Sequence, residues 1–175
     1  MATPASVTLA AVVAGAFAAA LTASTPLLPH ASIADAVNPG VSMNHQASGP
    51  FDVQLIPQKA DNPYAEGADI GRFALDKRFH GALEATSQGE MIAFRTSVAN
   101  SAGYVALERV SGTLDGRKGS FVLQHSSIMN RGVATQNISV VPDSGTDDLA
   151  GLSGTMTITI AAGGAHAYAF DYDLP

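Results

Sequence analysis

Lys77 is the residue whose position most constrains the chemistry open to this chain. It alternates with Phe73, Leu75 and Phe79, so a strand through this segment turns its ammonium toward the same side as three large apolar side chains. A buried ammonium is costly unless it is paired or used. Either its stem packs inside while the charge reaches an opening or one carboxylate, or a lysine in a low dielectric contacts a ligand carbonyl or carboxylate.

Other titratable residues share this pattern. Glu108 keeps step with Tyr104, Ala106 and Val110, whereas Arg109 keeps step with Val105 and Leu107, so one charge must fall on an apolar face. The simplest neutral arrangement pairs an inward Glu108 with Lys77, as a structural pair or as a ligand-site pair with shifted pKa values. His125 alternates with Phe121 and Leu123, and Gln124 with Val122; the bulkier companions favour His125 inward. Glu90 alternates with Ile92 and Phe94 and is expected inward by the same reasoning. Tyr168 shares the apolar face of the last segment with His166, Tyr172 and Phe170, where a hydroxyl needs a backbone or carboxylate partner. The candidate ligand-contacting residues are therefore Lys77, Glu90, Tyr104, Glu108, Gln124, His125 and Tyr168. His80 falls outside on strict alternation.

Several chemistries find no support. With no cysteine in the chain, disulfides, thiolate zinc sites and a cysteine nucleophile are excluded. The 5 histidines show no H-x-x-x-H or H-x-H spacing, so neither a metal nor another cofactor is expected. There is no G-x-S-x-G elbow. The glycines of residues 112–119 fit a hairpin better than a phosphate loop, which needs a following helix. With 9 Lys+Arg against 15 Asp+Glu and a net charge of -6, nucleic acid is not an expected partner.

The elements that must position these residues are strands. From Gly49 onward, short alternating runs are punctuated by Gly, Asp and Asn, and no helical period is sustained. A first strand carries Phe51, Val53 and Leu55. A second runs from Phe73 through Gly81, read as a bulge, toward Ser87. A tight turn at Ser87-Gln88-Gly89 leads to a third over 90–97, and a fourth spans 104–114. Asp115-Gly116 is a type I′ hairpin signal leading to a fifth over 119–129. A sixth follows Arg131-Gly132, a seventh carries Met156, Ile158 and Ile160, and an eighth follows Gly163-Gly164. Eight strands with one apolar face and short turns predict an all-β fold: a closed antiparallel meander barrel, whose interior is filled or holds one small ligand, with a two-sheet sandwich as the structural alternative.

Residues 1–36 read as a signal peptide or leader, from the uncharged run VTLAAVVAGAFAAALTA and the Ala34-Asp35-Ala36 cleavage pattern. Residues 37–48 read as a flexible lead-in and 49–175 as the barrel. The address implied is secreted or periplasmic, with cytoplasmic as the alternative and no stable membrane span after cleavage.

The runs LDKRFHGALEATSQGEM, GYVALERVSGTLDGRKGSFVLQHS, VVPDSGT and LAGLSGTMTI resemble a bacterial domain-of-unknown-function family with an eight-stranded barrel similar to that of allene oxide cyclase. The resemblance implies that fold and an internal cavity, and brings no activity with it. Three readings follow. The first is a binding module for a small, largely apolar molecule oriented by Lys77, Glu108 and His125. The second is a cofactor-independent isomerase or cyclase, with Glu108 or Glu90 and His125 moving protons. The third is a structural or assembly protein with a solid core, for which a homo-oligomer is allowed.

Overall fold

Strands that are apolar on one face bury that face by rolling up, which also removes their unpaired edges. The computed structural model describes residues 45–60 and 63–175. It contains β1 (His45–Gln58), β2 (Gly71–Phe79), β3 (Leu83–Arg95), β4 (Ala102–Leu114), β5 (Arg117–Asn130), β6 (Val133–Val140), β7 (Ser153–Ile160) and β8 (His166–Asp173). Neighbours in sequence pair antiparallel, and β8 returns to pair with β1 and close the barrel. A short helix, α1 (Pro63–Gly67), sits between β1 and β2, and a 3-10 turn at Asp147–Leu149 precedes β7. β1 begins at His45, ahead of the Gly49 start that the texture suggests. The leader reading falls on residues outside those described.

Two turns are as expected. Asp115 (φ 48) and Gly116 (φ 81) both adopt positive φ, as do Arg131 (φ 49) and Gly132 (φ 91), which is what two-residue hairpins require. One turn is not where expected. β2 ends at Phe79, the chain reverses around Gly81, and β3 runs unbroken through Ser87, Gln88 and Gly89. Gly81 takes φ 96, and a Cβ there would lie 2.7 Å from the Ser48 carbonyl oxygen. Gly89 serves close approach instead. A side chain there would collide with the Leu107 carbonyl oxygen and sit 2.6 Å from the Glu108 Cα. Glycine marks both a reversal and a tight strand contact, and local sequence does not separate the two.

Inside, two apolar clusters are divided by a polar layer. The larger gathers Phe51, Phe79, Val110, Phe121, Leu123, Met156, Tyr168 and Phe170 with the capping residues Leu149 and Leu152. The smaller holds Phe73, Leu75, Met91 and Ala106 nearer the other end. Tyr172 donates to the Asp115 carboxylate, locking β8 to the β4–β5 hairpin at the closed end. Burial first, then that hydrogen bond and charge, raise the Tyr172 hydroxyl to about 12.

Outside, β3, β4 and β5 are also apolar. Ile92, Phe94, Val105, Leu107 and Ile128 are all substantially exposed, with Ile92 directly opposite Val105.

The seam between β6 and β7 is thin, with Ser139 opposite Thr155 as its register pair. Above it, the Gln136 side chain acts as a substitute strand, donating from Nε2 to the Ile158 carbonyl at 2.9 Å and accepting from the Ile158 N–H at 2.9 Å. Gln136→Leu is therefore expected to release the Ile158 amide. Its hydrogen exchange should accelerate while β4 and β5 amides hold, with about 1 kcal/mol lost per bond; unchanged protection at Ile158 contradicts this.

Candidate functional site

Inward positions on β2 to β5 converge on one carboxylate. In β4, Tyr104, Ala106, Glu108 and Val110 face inward and Arg109 outward, resolving the choice between Glu108 and Arg109. Glu108 is 1% exposed. Lys77 Nζ donates to its Oε1 at 2.7 Å, and Ser87 Oγ donates to its Oε2 at 2.7 Å. His125 Nε2 lies 2.7 Å from Oε1, although its N–H is not aligned with that oxygen as a hydrogen bond requires. The Lys77 ammonium also lies over the rings of Phe51 and Phe79, 5.5 and 5.9 Å from their centroids.

The register explains how Lys77 reaches across an intervening strand. Leu75, Gly89 and Glu108 lie side by side on β2, β3 and β4. Because Gly89 presents no side chain inward, a gap opens in β3 through which lysine and glutamate meet. Burial alone would raise the Glu108 carboxyl, but the Lys77 charge, together with the close approach of His125, outweighs it and lowers it to about 2. The cluster thus carries a fixed negative charge already engaged on both oxygens.

Above this layer, where β2 starts, β3 ends, β4 starts and β5 ends, the barrel opens into a cavity of about 640 Å³. Phe73, Tyr104, Ser127 and Met129 form its inner end, and the β3–β4 turn with Arg95 forms its rim. Ser127 is 4% exposed, and its hydroxyl has no hydrogen-bond partner among the described residues. Burial first, and then the charge of Glu108, raise the Tyr104 hydroxyl to about 12, so it keeps its proton at neutral pH. The rim is tied down: Thr96 N–H donates to the Ser101 carbonyl at 3.1 Å, Arg131 N–H to Ser101 Oγ at 3.1 Å, and Gly132 N–H to the Asn100 carbonyl at 2.9 Å.

Of the expected site residues, the structure brings together Lys77, Glu108 and His125, and sets Tyr104 above them at the cavity. Tyr168 is elsewhere in the core, accepting from the Leu83 N–H at 2.9 Å and donating to the His80 carbonyl at 3.1 Å. Glu90 and Gln124 point outward. The inward set of β3 is Leu83, Ala85, Ser87 and Met91, so Glu90 shares the outer face with Ile92 and Phe94 and pairs with Arg72 at 2.8 Å. Those two apolar residues lie outside, which is why their parity misleads. Gln124 is outside because Phe121, Leu123 and His125 are buried. Ser87 and Ser127 are the additions. Ser127 keeps step with His125 and Met129, a signal present in the alternation, whereas Ser87 is hidden by the misplaced turn. Among the described residues no group of His, Cys, Asp and Glu is arranged to hold a metal.

No curated protein matches the chain. A crystal structure of a protein of unknown function from the DUF3224 family of Shewanella oneidensis MR-1 is similar at 48% identity and TM-score 0.69, covering 75% of this chain and 97% of that one. The family model for proteins of unknown function DUF3224 matches residues 47–172, from the third residue of β1 to the last but one of β8. With barrel, register and polar layer in view, that match takes in all eight strands of the closed sheet, and the chain belongs to the DUF3224 family.

Proposed function

We propose that this protein binds one small, largely apolar molecule in the cavity at the open end of the barrel. The observation that carries this reading is the cavity of about 640 Å³ itself, apolar along most of its wall, with the part-buried Tyr104 and the buried Ser127 at its inner end. The Ser127 hydroxyl has no partner among the described residues, a state that costs about 1–3 kcal/mol. The volume lies within the range of about 300–1,000 Å³ usual for small-molecule sites, and Phe73, Met129, Ala93 and Val98 supply apolar walls. A proton-transfer reading is less supported. Glu90 is outside, and Glu108 is held ionised by Lys77 and His125 below the residues that line the cavity.

The test uses the uncharged fluorescent dye phenylnaphthylamine. The protein is expected to take up one dye, Ala102→Phe at the cavity wall to abolish uptake, and Val105→Ser on the outer face to leave it unchanged. Uptake lost through Val105→Ser and kept through Ala102→Phe overturns the reading. Ser127→Ala is expected to raise the stability of the unliganded protein by about 1 kcal/mol in urea titrations. A loss of stability instead would make Ser127 a structural residue.

A further inference from the structure

We infer that the ligand of this cavity is an organic anion, an apolar body with one carboxylate-like group, and that Arg95 reads the anionic end. The inference rests on the cavity reading above and assigns its chemical class. Arg95 closes β3 on the inward parity of Met91 and Ala93, is half-buried, and lines the cavity rim. It makes no hydrogen bond or ion pair with any of the described residues. Arg72, by contrast, is committed to Glu90 through a fork of contacts at 2.8 to 3.2 Å. A guanidinium half out of water and without a counter-charge is arranged to receive one, and its planar fork matches a carboxylate or sulfonate.

The inner end of the cavity agrees with this polarity. The nearest fixed negative charge, Glu108, is neutralised by Lys77. Asp69 also lines the cavity but is exposed, so its repulsion is screened by water. The chain's net charge of -6 works against anions in general, which makes a local cation necessary to hold one. The pinned β3–β4 turn keeps Arg95 at a fixed height above Tyr104 and Ser127, so little ordering accompanies binding. An apolar acid would lie with its body against Phe73 and Met129 and its charge at the rim.

Two dyes of one shape separate the outcomes. Anilinonaphthalene sulfonate differs from phenylnaphthylamine by a sulfonate. The unaltered protein is expected to bind the sulfonate dye about tenfold tighter, the value of one charge-assisted contact. Arg95→Gln should remove that preference and change the uncharged dye by less than about twofold, while Arg95→Lys retains part of it, and added salt weakens only the sulfonate dye. Circular dichroism and urea midpoints unchanged in Arg95→Gln establish that the variant folds. Equal affinity for both dyes in the unaltered protein, or an equal loss of both in Arg95→Gln, overturns the anion assignment and leaves the cavity reading standing. Uptake of neither dye, or uptake indifferent to Ala102→Phe, overturns the cavity reading, and the assignment falls with it.

Discussion

Glu108→Gln is expected to destabilise the barrel by about 3–5 kcal/mol, the cost of leaving a buried charge without its partner. Glu108 accepts from Lys77 and Ser87 and lies 2.7 Å from His125 Nε2, and Lys77 is itself only 6% exposed. Removing the carboxylate strands the ammonium between Phe51 and Phe79. Replacing both partners behaves differently, because packed apolar groups of similar volume often match a buried ion pair. Lys77→Met with Glu108→Leu should therefore recover most of what Glu108→Gln loses. Urea denaturation followed by circular dichroism reads both variants. A double variant as unstable as the single one would show that the pair stabilises by more than mutual neutralisation.

The same carboxylate sets an acid limit. Its folded pKa, about 2, is below the ordinary value of about 4.3, so its contribution is complete above the ordinary value and is lost as pH falls from there toward the folded one. The amount at stake is on the order of 3 kcal/mol. Stability should thus be flat in this contribution from neutral pH to about pH 5 and decline below, and in the double variant that decline should shrink.

Gly89→Ala is the second large effect, expected to cost about 3 kcal/mol, the upper part of the range for overpacking. The obstructing atoms are the Leu107 carbonyl and the Glu108 Cα, backbone that cannot rotate aside as a flexible side chain can. The new methyl would also fill the gap through which Lys77 reaches Glu108, since the Glu108 Cβ lies 2.7 Å from where that methyl would stand. The variant should therefore combine a lowered urea midpoint with a shallower acid decline, because a disturbed ion pair depresses the Glu108 pKa less. A change confined to the midpoint would place the strain in β4 and spare the ion pair.

The alternation of large apolar residues, read without any structure, was enough for the class of fold and most strand positions. Residues such as Met156, Phe170 and Tyr172 face inward as their spacing demands, and Asp115-Gly116 turns as its residue types require. Lys77 inward was legible for the same reason: a period of two places a charge and its apolar neighbours on one face. Parity became misleading where the outer face is apolar too. In β3 the outward Ile92 and Phe94 outweigh the inward Met91 and Ala93 in bulk, and Glu90 was carried to the wrong side with them.

Only the closed sheet decided the rest. The role of Gly89 depends on how near β4 lies, a distance between residues far apart in the chain. Glu108, Ser87 and His125 meet because β3, β4 and β5 stand side by side in one register. The cavity exists because the start of β2, the end of β3, the start of β4 and the end of β5 stand together at one end of the barrel, with Ser127 at its inner end and Arg95 at its rim. Local sequence determined which side chains share a face, because the pleat repeats every two residues; the tertiary structure determined which face is inward in β3 and what each inward side chain meets, because barrel closure sets those distances.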